Sequence, residues 1–212
     1  MPKQVCLTGS LEDIATVAKA AKLMPPVTVV VGDVVRLRQG LNWFESRPLF
    51  GRRILVTRAE EQAGGVSALL EDYGAEAVPF PVIKTVPPKS YRALDSEIKR
   101  LSTYDWGIFT SANGVRFFFD RLNELSLDIR ELKGVRICAI GPKPRDEIKR
   151  LGIRVDVVPE KYIAESVIPA LGKKNIAGKR FLLPRAMVAR EVLPNEIRRL
   201  GGTIKVCDAY MK

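Results

Sequence analysis

Histidine is absent from all 212 residues, and with it go the commonest metal ligand and the side chain best suited to proton transfer near neutral pH. A Ser-His or Cys-His nucleophilic pair is therefore excluded. Cysteine is scarce. Cys6, Cys138 and Cys207 are odd in number, scattered and without CxxC spacing, which argues against a zinc site or disulfide framework and for a reducing, cytoplasmic setting. Long apolar runs are missing too. The longest, Val27 to Val31, is far too short to cross a bilayer, so no membrane span is expected. The N-terminus lacks a charged leader with an apolar core and a small-residue cleavage site, so export is not expected. Disorder is excluded by a hydrophobic fraction of 46% beside a charged fraction of 28%.

What the chain has in excess is positive charge, +11 in all. Residues 51–212 carry 29 Lys plus Arg against 20 Asp plus Glu, so most of the excess lies there. Such a surplus is either a solvated basic surface or the footprint of an anionic partner. Nucleic acid is not expected, because there is no basic run, no zinc-finger spacing and no aromatic-basic interleaving. A polycarboxylate or phosphate ligand remains.

The stretch from Trp43 to Ala59 reads as a seam. Before it, Ser10 and Asp13 cap a helix carrying Ile14, Val17, Ala18 and Ala21. Pro25-Pro26 stop that helix, and Val27-Thr28-Val29-Val30-Val31 reads as a strand closed by Gly32. These pieces cannot close a core alone, and the unpaired strand suggests self-association through sheet edges. After the seam, strands are predicted at 53–57, 76–83, 105–110, 135–140, 155–158, 179–183 and 203–209. Helices are predicted at 60–73, 91–101, 112–123, 143–151, 163–171 and 188–200, and Gly74, Gly152 and Gly201 supply left-handed caps after three of them. The alternation predicts an α/β fold of parallel sheets covered by helices.

In such sheets ligands gather at the carboxyl ends of the strands, where helix N-termini offer N–H groups and partial positive charge. Four corners of this kind are legible: Thr57-Arg58-Ala59, Thr110-Ser111-Ala112-Asn113-Gly114, Gly141-Pro142-Lys143 and Pro184-Arg185-Ala186. Each supplies open backbone amides, hydroxyls or a cation, which is what a carboxylate needs. The plainer reading makes Ser111 and Asn113 helix caps, Pro142 an ordinary helix start, and Arg58 and Arg185 solvated or paired with nearby carboxylates.

The same residues carry a resemblance. Arg53 to Arg58, Tyr104 to Val115, Val135 to Lys143, Phe181 to Ala186 with Arg190, and Leu200 to Tyr210 resemble, in order, the motifs of uroporphyrinogen-III synthase. Pro25 to Arg38 through Glu45 resembles the C-terminus of uroporphyrinogen-III C-methyltransferase, to which the synthase is fused in some bifunctional chains. None of the methyltransferase's cofactor-binding motifs lies in residues 1–46, so no such activity is expected there. The resemblance implies two α/β domains joined by two extended crossings, the first domain discontinuous. Residues 1–46 are then a methyltransferase remnant, 47–88 the start of synthase domain 1 and the first crossing, 89–202 domain 2, and 203–212 the return linker. On this reading domain 1 is incomplete and the chain alone has little cyclase activity.

The implied reaction closes hydroxymethylbilane, a linear tetrapyrrole bearing acetates and propionates, into uroporphyrinogen III, with inversion of the last ring and loss of water. No cofactor is implied, since the chemistry is largely one of positioning. Tyr210 matches a tyrosine that would assist departure of the hydroxyl, or would simply pack between domains. Thr57, Arg58, Thr110, Ser111, Asn113, Gly141, Pro142, Lys143, Arg185 and Arg190 are the implied substrate contacts. The alternatives are a non-catalytic fragment that binds anions or tetrapyrroles without isomer selectivity, or a role belonging to the fused methyltransferase.

Overall fold

The computed structural model describes residues 4–212, and the chain divides into two compact units, Met1–Lys84 and Thr85–Lys212. The boundary falls within the Pro-punctuated stretch predicted to cross between domains.

In the first unit, α1 (Ile14–Ala20) forms where the apolar spacing predicts it, although Asp13 makes no capping bond with its side chain. The strand predicted at Val27–Val31 does not form. Val29, Val30 and Val31 are exposed, and among the described residues no second strand lies beside them to take their backbone groups. A turn of 3-10 helix (Asp33–Leu37) and the short α2 (Arg38–Leu41) follow, neither of which the sequence announced. Beyond the seam, β1 (Arg53–Val56), α3 (Glu60–Asp72) and β2 (Glu76–Pro79) make one βαβ unit with β1 and β2 parallel. β2 stops at Pro79 rather than running to residue 83, because two closely spaced prolines remove ladder donors.

The second unit is a four-stranded, all-parallel sheet. Its helices are α4 (Arg92–Ile98), α5 (Ala112–Glu124), α6 (Pro142–Arg150), α7 (Val167–Leu171) and α8 (Val192–Arg199). Its strands are β3 (Trp106–Phe109), β4 (Arg136–Ala139), β5 (Arg180–Ala186) and β6 (Thr203–Tyr210), in the order β4-β3-β5-β6. The sheet carries a core on each face. One cluster holds Phe109, Phe118, Phe119, Leu122, Leu182 and Tyr210, and the other holds Trp106, Ile108, Phe181, Leu183 and Ile197. Gly74, Gly152 and Gly201 take positive φ after their helices, as predicted. Asp105 fastens the start of the sheet. Its carboxylate accepts from Lys179 Nζ at 2.8 Å and from the Arg180 N–H at 2.8 Å.

Two stretches depart from expectation, at 155–158 and 188–191. The strand predicted at 155–158 is a single bridge of Val157 to Cys138, because the Asp156 carboxylate itself takes the Ile137 N–H at 2.7 Å. The helix predicted from residue 188 begins at Val192, leaving 187–191 as a loop after β5. Thr203–Tyr210, predicted as a strand over 203–209 and from the resemblance also the return linker, is β6, paired with β5 along its length. Beyond it Met211 exchanges backbone hydrogen bonds with Val86 in an antiparallel bridge.

Candidate functional site

Because all four strands of the second unit run parallel, their carboxyl ends share one rim, and α5, α6 and α8 begin there. Thr110, Ser111 and Asn113 follow β3, Gly141, Pro142 and Lys143 follow β4, Arg185 lies near the end of β5, and Tyr210 ends β6. The structure thus places these eight of the eleven predicted site residues on one edge of one sheet. Arg190 is close by, in the loop after β5. Thr57 and Arg58 are exposed at the end of β1 in the first unit, where Arg58 donates to Gln62 Oε1 at 3.0 Å.

Ser111 is the N-cap of α5, with Oγ accepting from the Gly114 N–H at 3.0 Å. The same Oγ lies 3.0 Å from the hydroxyl of Tyr210. A serine hydroxyl can accept from the amide and still exchange a hydrogen bond with the phenol. The Tyr210 ring is buried and stacks on Phe117, centroids 5.6 Å apart at 18°. The tyrosine of the last strand is therefore pinned to the helix start of the Thr110–Gly114 corner. Gly114 permits the approach: a Cβ there would stand 3.2 Å from the Pro184 carbonyl.

Asn113 donates through Nδ2 to Thr85 Oγ1 at 3.1 Å, and Thr85 is itself buried. Part of this side chain's capacity is thus used within the unit. Thr110 is exposed at the rim.

At the next corner, Gly141 has φ +100° and ψ 175°, a conformation that is essentially glycine's alone. Pro142 opens α6, Lys143 is exposed, and the ring of Tyr162 lies directly over Gly141, 3.3 Å from where a Cβ would be.

Arg185 is the one buried cation among the predicted contacts, 7% exposed. Nη1 donates to the Arg190 carbonyl at 2.7 Å, Nη2 donates to Glu191 Oε1, and Nε has no partner among the described residues. Arg190 itself is exposed and pairs loosely with Glu165 at 3.7 Å. A separate depression of about 700 Å³ lies over α4, lined by Tyr91, Arg92, Asp95, Lys99 and Arg121 among others, and contains none of the predicted residues.

The sequence did not single out Thr85, Phe117, Tyr162 or Glu191. Glu191 was foreshadowed only as a generic carboxylate partner for Arg185, and Thr85 stood within a stretch read as linker. Chemically, the rim offers two helix N-termini, a hydroxyl pair, a buried guanidinium and an exposed lysine, with no clustered metal ligands among the described residues. That set suits a polyanion.

A family model described as Uroporphyrinogen-III synthase HemD matches residues 65–212. The chain is 31% identical over 196 residues to the porphyrin biosynthesis protein HemD of Ruminiclostridium josui, covering 92% of this chain and 38% of that protein. It is 28% identical over 178 residues to the uroporphyrinogen-III C-methyltransferase of Bacillus subtilis, covering 84% of this chain and 34% of that protein. Among solved structures, a mutant uroporphyrinogen III synthase from the extremely thermophilic bacterium Thermus thermophilus superposes with a TM-score of 0.57 at 20% identity, over 76% of this chain and 62% of that one. The fold is therefore shared with that synthase. The chain spans between about a third and three fifths of the length of these proteins.

Proposed function

The chain belongs to the uroporphyrinogen-III synthase HemD family, and we propose that it serves as the synthase portion of a tetrapyrrole-biosynthesis enzyme. On this reading it binds hydroxymethylbilane along the rim of the second unit and directs its closure to uroporphyrinogen III. The observation that carries the reading is the Ser111–Tyr210 hydroxyl pair at the N-cap of α5, on the rim where α6 also begins and β5 carries the buried Arg185.

The substrate's acetates and propionates need donors, which the α5 and α6 corners, Lys143 and Arg185 supply. Loss of the terminal hydroxyl needs a proton donor near the departing oxygen. A tyrosine whose hydroxyl is held by Ser111 Oγ is oriented for that role, and Ser111 can return a hydrogen bond as the phenol gives up its own. Inversion then depends on holding the two ends of the chain so that attack at the substituted carbon is faster than simple closure.

The test is isomer analysis. Hydroxymethylbilane is incubated with the chain, and the type III and type I products are separated after oxidation. A type III fraction above that of the protein-free control supports the reading. Saturable binding with only type I product would make the chain a tetrapyrrole-binding module. Turnover by this chain alone is expected to be slow beside that of relatives of greater length.

The likeness to a C-methyltransferase favours a bifunctional parent in which residues 1–46 close a methyltransferase domain. Exposed Val29, Val30 and Val31 would then meet that domain, or a second copy of the chain. A sedimentation coefficient that rises with concentration would report the latter.

A further inference from the structure

Arg185 poses a problem that its partners only half solve. A guanidinium this deeply buried needs a countercharge, because an uncompensated buried cation is strongly destabilising. The carboxylate that meets it belongs to Glu191, whose side chain is 53% exposed. Nη1 is satisfied by the Arg190 carbonyl, and Nε is left without a partner among the described residues. The cation is fixed, while the anion that neutralises it can swing into water.

Glu191 also occupies the N-cap position of α8, an eight-residue helix, yet makes no capping bond with its side chain. An acid at that position is drawn to its own helix's N–H groups and to the positive end of the helix dipole. Here the carboxylate reaches instead for Arg185. Glu191 thus has two favourable resting places, one on Arg185 and one on its own helix start. The segment joining them, Met187 to Arg190, is exposed throughout.

We propose that Glu191 is a placeholder for a substrate carboxylate. In the ligand-free chain it neutralises Arg185; an incoming acetate or propionate takes its place on the guanidinium, and Glu191 turns to cap α8. Arg185 is then the cation that selects a carboxylate at one point of the rim. Glu191 sets the selectivity by making weak anions compete with a built-in one. This rests on the reading of the rim as the tetrapyrrole site, and it adds a residue and a step to that reading. No covalent bond is made or broken in the exchange.

A built-in competitor lowers apparent affinity by the fraction of time it leaves its site free. If Arg185 is available about a fifth of the time, removing the competitor tightens binding about fivefold. A purely structural role for Glu191 gives the opposite sign, since loosening the loop could only weaken binding.

The experiment is calorimetric titration of uroporphyrinogen III, kept reduced under anaerobic conditions, into the full chain at fixed ionic strength. Glu191→Gln keeps the size and a hydrogen-bond acceptor for Nη2 but removes the charge, and it is expected to bind about fivefold more tightly than the unaltered chain. Glu191→Asp, too short to hold the pairing, is expected to move in the same direction by less. Arg185→Met is expected to weaken binding tenfold or more and to abolish the effect of adding Glu191→Gln. Equal or weaker binding by both Glu191 variants, with saturable binding by the unaltered chain, overturns the placeholder and leaves the tetrapyrrole reading intact. No saturable binding by any of these chains overturns both.

Discussion

Removing the two hydroxyls that meet at the rim tests whether Tyr210 is held by the α5 cap. Ser111 Oγ makes two contacts, to the Gly114 N–H and to the Tyr210 hydroxyl, each at 3.0 Å. An N-cap serine contributes about 1 kcal/mol, and a neutral side-chain hydrogen bond about another 1 kcal/mol. Ser111→Ala is therefore expected to cost about 2 kcal/mol. Tyr210→Phe keeps the ring on Phe117 and loses only the hydrogen bond, about 1 kcal/mol. If the hydroxyls are partners, the double variant costs about 2 kcal/mol rather than about 3, a coupling of about 1 kcal/mol. Urea unfolding followed by Trp106 fluorescence reads the second unit, with Trp43→Phe as background to silence the other tryptophan. Additive costs, within about 0.3 kcal/mol, would refute the pairing. The same variants separate roles in turnover. Tyr210→Phe should lower type III formation by about tenfold or more with little change in binding, as expected of a group that acts mainly in the transition state.

Other outcomes follow from the same geometry. Hydrogen bonds and charge from Arg121 hold the Asp95 carboxyl below its usual range, and Lys179 does the same for Asp105. Burial pushes Glu97 up, but hydrogen bonds from Tyr104 and Arg100 outweigh it and leave that carboxyl lowered too. Groups lowered by folding stabilise above their unfolded pKa of about 4 and lose that contribution as pH falls through the folded value. The Tm is thus expected to be flat from about pH 8 to about pH 5 and to drop below about pH 4. Tyr104→Phe should shrink that acid-dependent drop, and an unchanged acid limb would contradict the assignment. Burial pushes the thiols of Cys138 and Cys207 up to about 12, while Cys6 is exposed. An Ellman titration should accordingly show one fast thiol in the native chain and three in denaturant. Gly141→Ala puts an L-residue into a glycine-only conformation against the Tyr162 ring. Chemical unfolding should report a loss of about 2 kcal/mol, with weaker tetrapyrrole binding in a parallel titration.

Much of this fold was written in punctuation. Gly74, Gly152 and Gly201 end helices in sequence and take the left-handed conformation in the structure. The strand-to-helix corners could be read because a short apolar run followed by Thr-Ser-Ala-Asn-Gly or Gly-Pro-Lys has few other ways to fold. Other features depended on partners distant in the chain. The Val27–Val31 run has the residues of a strand but no neighbouring strand among the described residues, and β propensity alone orders no backbone. The alternation predicts the strand at 203–209, but not that its buried Ile204, Cys207 and Tyr210 complete the sheet beside β5. Of the site, the rim residues were visible one corner at a time. What joins them was not visible: Ser111 to Tyr210 spans 99 residues, and Asn113 to Thr85 links a helix to a stretch read as connector. Glu191 stayed hidden because the sequence puts it inside a helix that begins at residue 188, and only the structure shows it ahead of α8 and reaching to the buried Arg185.

On the proposed function, the carboxyl-end rim of the second unit's sheet is where the tetrapyrrole binds. Amide chemical shifts of the ¹⁵N-labelled chain, titrated with reduced uroporphyrinogen III, test it most directly. Saturable shifts are expected at Ser111 to Gly114, Gly141 and Lys143, Arg185 to Glu191 and Tyr210, with the amides of α4 unmoved. Shifts centred on the depression at Tyr91, Arg92 and Lys99, or no saturable shifts at the rim, would contradict it.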